Sequence, residues 1–286
     1  MSRVAAIRAD GLTKYFGAVV GIEELSFEVE QGEVYGFLGT NGAGKTTTIR
    51  LLLDLLRPTN GSASVLGHDC QRDSLAARRK VGYLPGDLPI YPDLCARDYL
   101  SYLSRLDDRS VDPSYLAHLL GRFDVSDVDQ RRPLRDQSHG MKQKIGIIQA
   151  LMTRPPVVIL DEPTAGLDPL MVQAFKETLA DLKRAGGTTV FLSSHVLSEV
   201  ESTCDRIGLI RGGRMVTTST IDEIRKAAVR EVTVTFADGQ PPLVTQVHGP
   251  IGPLLASLDG RQILDIAVES FSLEDYIAQF YNGERR

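Results

Sequence analysis

The stretch Gly39-Thr40-Asn41-Gly42-Ala43-Gly44-Lys45-Thr46 constrains this chain more than any other. It fits the phosphate-loop pattern G-x-x-x-x-G-K-[ST], which requires a strand before it and a helix after it. The apolar run Val34-Tyr35-Gly36-Phe37-Leu38 predicts the strand, and Thr46 to Leu56 predicts the helix, with Pro58 just past its end. Glycines let the backbone bend and bring its N–H groups close to phosphate oxygens, and the positive end of the helix adds to the attraction. Lys45 is placed to reach the β- and γ-phosphates, and the Thr46 hydroxyl to ligate Mg²⁺. The fold class that follows is α/β, with a mainly parallel sheet.

Other acids and polar residues follow strands of the same kind. Val157-Val158-Ile159-Leu160 is a continuous apolar run that ends in Asp161-Glu162-Pro163, which predicts a fully buried parallel strand. Ligands of open α/β sheets sit at that carboxyl edge, where a phosphate-loop enzyme needs an acid for its metal. Glu162, one residue on, is placed to polarise a water; the competing reading is two acids satisfied by a helix N-terminus. Val190-Phe191-Leu192 ends in Ser193-Ser194-His195, which puts His195 at the same edge. Upstream, Leu12-Thr13-Lys14-Tyr15-Phe16-Gly17 separates the strands predicted at Val4 to Ala9 and Leu25 to Val29. Its two aromatics suit either core packing or purine stacking.

The rest of the chain supplies organisation. From about Leu94 to Ala150 apolar residues recur at helical spacing (Leu100, Leu103, Leu106, then Leu116, Leu119, Leu120, Phe123), a helical insertion between strands. Leu75 to Lys80 predicts a short helix, and Arg78, Arg79, Lys80 and the run Arg131, Arg132, Arg135 read as solvated faces. Beyond about Thr220 the pattern is a small α+β appendage: strands at Glu231 to Phe236, Leu243 to Val247 and Gln262 to Val268, helices at Leu254 to Leu258 and Leu273 to Tyr281. Net charge is −5, which argues against a dominant basic nucleic-acid face. No apolar run reaches the ~18 residues of a membrane span, and the N-terminal residues lack the apolar core of a signal peptide, so a cytoplasmic chain is expected. Cys70, Cys95 and Cys204 form no C-x-x-C pair, so reduced thiols and no zinc site are expected.

The phosphate loop, Gln137-Ser138-His139-Gly140-Met141-Lys142-Gln143-Lys144, Leu160-Asp161-Glu162-Pro163-Thr164, Ala165-Gly166-Leu167-Asp168 and Ser193-Ser194-His195 stand in the order found in the ATP-binding cassette (ABC) ATPases. The chain resembles that family over about residues 4 to 219, and its tail resembles the extension on ATP-binding subunits of multidrug and antibiotic exporters. The resemblance implies a phosphate-loop NTPase core with an antiparallel β subdomain. Residues 1–219 would be the nucleotide-binding domain, about 87–154 its helical subdomain, and 220–286 an accessory α+β domain.

By the same resemblance, ATP binds along Gly39, Thr40, Asn41, Gly42, Ala43, Gly44, Lys45, Thr46 and Thr47, with Phe16 rather than Tyr15 stacking on adenine. Asp161 and Thr46 hold Mg²⁺, Glu162 is the general base and His195 contacts the γ-phosphate. Ser138 and Gly140 close over the ATP of a partner subunit, and Asp168 sits at that homodimer interface. Permease subunits on a separate chain would hold the protein at the inner face of the membrane, and no nucleic acid is involved. Two departures stand out. The signature loop reads Gln137-Ser138-His139-Gly140-Met141 rather than L-S-G-G-Q, and the family's Gln after Pro85 is Gly86. Asp87, a hard oxygen ligand, is the candidate metal ligand in its place, and Pro85-Gly86-Asp87 as a plain turn is the competing reading. Leu88, Pro89, Ile90, Tyr91 and Pro92 put apolar and aromatic side chains on what is expected to be an exposed loop, a docking signal, with packing inside the insertion as the competing reading. An exporter ATPase is the function expected. A soluble cassette acting on DNA or ribosomes, an importer subunit and a small-molecule kinase are the alternatives.

Overall fold

The computed structural model describes residues 5–88, 91–227, 229–237, 239–248, 251–258, 260–270 and 277. The phosphate-loop strand, β3 (Val34–Leu38), has all five residues buried. Such a strand needs partners on both sides and cover on both faces. It lies inside a six-stranded sheet ordered β10-β9-β3-β8-β7-β6, where β6 is Val81–Leu84, β7 Val157–Asp161, β8 Thr189–Ser194, β9 Arg206–Arg211 and β10 Arg214–Thr220. The pairs β3–β8, β3–β9, β7–β8 and β6–β7 are parallel. Their carboxyl ends therefore share one edge, and this register puts Leu38 beside Ser194 and Asp161 beside Ser193.

A second sheet, β2-β1-β4-β5, is antiparallel throughout. Its β1 (Ala5–Phe16) and β2 (Val19–Glu30) form one long hairpin, and β4 (Asn60–Val65) and β5 (His68–Asp69) complete it. The two short strands and intervening segment read from the sequence are corrected here: Leu12 to Phe16 continues the strand. Register shifts between Ala9 and Leu12 and between Leu12 and Lys14 interrupt the alternation, because bulged residues break the period of two from which a strand is read. The joint between the two sheets is aromatic. Phe27 from β2 packs on Tyr35, Phe37 and Phe191 with ring centroids 5.6–6.0 Å apart.

The helix after the phosphate loop, α1 (Lys45–Leu52), stops four residues short of the predicted Leu56. Asp54 takes a left-handed conformation (φ 54), and Leu55 and Leu56 turn their N–H groups back to the Arg50 carbonyl. Asp tolerates that region better than most residues with a Cβ. A short α2 (Ser74–Arg78) follows β5. The insertion contains α3 (Ala96–Leu106), α4 (Pro113–Arg122), α5 (Asp127–Arg131) and α6 (His139–Leu151). Leu100, Leu119 and Phe123 are buried there, whereas Leu106 is exposed. Then come α7 (Pro169–Ala185) and α8 (Leu197–Thr203).

By its internal contacts the chain divides into residues 1–218 and 219–286. The second unit has α9 (Ile221–Ala227) and a three-stranded antiparallel sheet, β12-β11-β13, of β11 (Val229–Phe236), β12 (Leu243–His248) and β13 (Ile263–Ser270). With α10 (Gly252–Ser257), it has its own core around Val232, Val234, Phe236 and Leu258. The helix predicted at Leu273 to Tyr281 lies outside the described residues apart from Ile277, which is helical and buried. Among the described residues no helix is long and apolar enough to cross a membrane.

Candidate functional site

Three chain segments meet at the carboxyl edge of the parallel sheet. The phosphate loop leaves β3 with Gly42 and Gly44 in left-handed conformations (φ 81 and 113), accessible to glycine at little cost. Lys45, only 6 % exposed, turns back under the loop and donates to the carbonyls of Gly39 (2.7 Å) and Thr40 (3.3 Å). Its Nζ also lies 3.1 Å from Glu162 Oε1. The Thr46 hydroxyl donates to Asp161 Oδ2 at 2.8 Å, and Ser193 donates to Asp161 Oδ1 at 2.6 Å. Asp161 is 1 % exposed, and each of its carboxylate oxygens accepts from one of these two hydroxyls. Glu162 faces outward with a left-handed backbone (φ 51). Its Oε2 lies 2.6 Å from His195 Nδ1, and its N–H donates to Ser193 Oγ at 3.1 Å.

Above these groups lies a cleft of about 530 Å³, lined by Phe16, Val19, Val20, Gly21, Ala165 and phosphate-loop residues with Glu162 and His195. Asn41, Gly42, Gly44, Lys45, Thr46 and Thr47 all line it. Ala43 is buried behind the loop. Phe16 is 45 % exposed, with the Lys14 ammonium 5.4 Å from its ring centroid. The Tyr15 hydroxyl instead donates to Glu23 at 2.8 Å, which raises the phenol's pKa and lowers that of the carboxyl. This separates the two aromatics that the sequence left open. Val19, Val20 and Gly21 were not singled out in the sequence; they reach the cleft only because β2 folds back on β1.

Ser138, Gly140, Asp168 and Asp87 do not line this cleft. Ser138 caps α6, its Oγ accepting from Met141 N at 3.2 Å, and Asp168 caps α7 by accepting from Met171 N at 3.0 Å. Asp87 is exposed. A Cβ on its neighbour Gly86 would be 3.4 Å from Asp161 Oδ2, an ordinary van der Waals contact. Sequence reasoning also passed over Gln143. Its amide donates to the carbonyls of Glu162 (3.1 Å) and Pro163 (3.0 Å). The signal was available: a Gln stands on the same helix face as Ile147 and Leu151, where an apolar residue is expected. Leu88 is half-buried and Tyr91 half-exposed; Tyr91 packs edge-on against Tyr102 at 5.6 Å, and Pro92 is exposed. Pro89 and Ile90 lie outside the described residues.

The profile of the ABC transporter family matches residues 22–165, and the chain is 30 % identical to a bacitracin transport ATP-binding protein of Bacillus licheniformis over 97 % of both chains. The chain belongs to the ABC transporter ATP-binding family. A daunorubicin resistance ATP-binding protein of Streptomyces coeruleorubidus is 37 % identical over 77 % of this chain and 70 % of its own. The solved ATP-binding subunit of an ABC transporter superposes with a TM-score of 0.70 at 30 % identity, over 77 % of this chain and 92 % of that one. A dimeric bacterial ABC transporter cassette, 20 % identical over 75 % of this chain and 98 % of its own, superposes at 0.68 and shares the fold. This ABC protein is therefore an ATP-binding, ATP-hydrolysing transporter subunit. That solved cassette is a dimer, and another structural neighbour, cbiO1 from Clostridium perfringens, is part of the ABC transporter complex cbiONQ.

Proposed function

We propose that this subunit powers export through a separate permease, by ATP-driven closure and reopening of a homodimer, peripheral to the inner face of the membrane. One observation carries the chemistry: Lys45, Thr46, Asp161, Glu162 and His195, drawn from three segments, form one connected cluster beneath a cleft wide enough for a nucleotide. Phe16, with Val19 and Val20 beside it, offers adenine an apolar face. The N–H groups at the start of α1 and the Lys45 ammonium would hold the phosphates.

The donor set fits Mg²⁺, because the Thr46 hydroxyl and the Asp161 carboxylate are hard oxygens already 2.8 Å apart. Among the described residues no cluster of three or more His, Cys, Asp or Glu could hold a metal; water and phosphate oxygens would complete the shell, as Mg²⁺ favours. Bound there, the ion would neutralise charge on the β- and γ-phosphates. Glu162 accepts a proton from the attacking water, and His195 holds the outer carboxylate oxygen. Asp87, next to a glycine near Asp161, remains the proposed substitute for the missing Gln.

Ser138, Gly140 and Asp168 lie away from this cleft, which supports their serving the nucleotide of a partner subunit. Relatives named for bacitracin transport and daunorubicin resistance support the outward direction, and the half-exposed Tyr91–Tyr102 pair supports a permease contact. Mixing tests the composite site. Ser138→Arg and Lys45→Ala subunits each lack an intact site as homodimers, but their heterodimer has one. Recovery of ATPase activity on mixing is expected, and no recovery from proven heterodimers would refute action across the dimer.

A further inference from the structure

The first turn of α6 and the loop after β7 interlock within one chain. Gln143 ties the carbonyls of Glu162 and Pro163 to the helix. Nearer its start, Gly140 approaches the same loop so closely that a Cβ there would lie 2.7 Å from the Gly166 carbonyl oxygen. His139 closes the joint from the other side. A Cβ on Gly166 would lie 2.4 Å from His139 Cδ2 and 3.1 Å from Nε2, so an edge of the imidazole rests on this glycine. Gly166 is left-handed (φ 76) and stands between Glu162 and the Asp168 cap. A glycine there would let the loop hinge, and a ring packed on it removes that freedom. Glu162 itself has φ 51, a conformation that is strained for a residue with a Cβ and kept only by its surroundings.

We propose that His139 is a positioning residue for Glu162. Its ring, seated on Gly166, fixes residues 162–166 so that the Glu162 carboxylate stays between Lys45 and His195. This rests on Glu162 being the base proposed above. The effect acts within one subunit, apart from any contact that Ser138 makes with a partner's nucleotide. It also gives a physical role to the imidazole where L-S-G-G-Q has a glycine: the packing surface that steadies the loop here is a side chain.

A double-mutant cycle in the full-length chain tests this. His139→Ala should lower kcat about tenfold and leave KM for ATP unchanged, because the loop shifts while the cleft does not. His139→Phe keeps a flat ring on Gly166 and should stay within about twofold of wild type. Gly166→Ala drives a methyl into the imidazole. In the His139→Ala background that methyl has room, so its penalty there should be smaller. The backbone strain of Gly166→Ala is common to both backgrounds and cancels. Independent, multiplying penalties would overturn the proposal, as would His139→Phe being as slow as His139→Ala, or a raised KM at unchanged kcat. Should Gly166→Ala not fold, the Phe and Ala variants decide alone. Near-normal turnover in Glu162→Gln would remove the base and this proposal together. A slow Glu162→Gln without coupling between positions 139 and 166 would remove this proposal only.

Discussion

Glu162→Gln separates the chemistry of the site from its binding. The substitution keeps the size of the side chain and one oxygen, but removes the charge that faces Lys45 Nζ at 3.1 Å and His195 Nδ1 at 2.6 Å. Lys45 is nearly buried, yet it retains the carbonyls of Gly39 and Thr40. The folding cost is then that of one charge-assisted contact, about 1–3 kcal/mol. For a unit of this size that lowers Tm by roughly 2–4 °C per kcal/mol. ATP affinity should hold or tighten, because a carboxylate that competes for Lys45 is gone. Hydrolysis should suffer far more: losing a general base costs about 10²–10⁴ in rate, or roughly 3–5 kcal/mol of barrier at about 1.4 kcal/mol per factor of ten. Phosphate release at saturating ATP, a fluorescent-nucleotide titration and gel filtration in MgATP read the three quantities side by side. The expected result is intact binding, accumulated ATP-dependent dimer and kcat down by about a hundredfold or more. A kcat within about threefold of wild type, with ATP still bound, would refute the role.

Tyr91→Asp should leave ATP binding intact while the protein loses co-purification with membranes; a variant that unfolds instead would show that Tyr91, packed on Tyr102 and Tyr99, is a core residue. Asp87→Ala should raise the Mg²⁺ concentration for half-maximal ATPase activity of the assembled transporter, and titrations unchanged in both Asp87→Ala and Asp87→Asn would leave Asp87 a turn residue. Burial pushes the thiols of Cys70 and Cys204 up to about 12, so both stay protonated and inert at pH 8, whereas half-buried Cys95 is accessible. Native maleimide labelling should therefore stop in Cys95→Ser, and labelling that persists there would contradict the burial of the other two.

What could be read from residues in line was whatever the chemistry builds from contiguous chain. A phosphate cradle uses consecutive backbone N–H groups, so Gly39 to Thr46 announced itself together with its strand and helix. The run Val157 to Leu160 announced a buried strand with Asp161 and Glu162 at its end, because a strand covered on both faces admits no polar residue before its edge. What tertiary structure alone decided depends on chain segments distant in sequence. Ser193 reaches Asp161 only because β7 and β8 pair in parallel register. Val19, Val20 and Gly21 enter the cleft only because a bulged hairpin folds back beside Phe16. Gln143 and His139 meet the loop at 162–166 only because α6 packs its first turns against it. No period or local propensity encodes such meetings. They are set by where burying each apolar face brings the elements together, and the polar partners are then chosen by proximity.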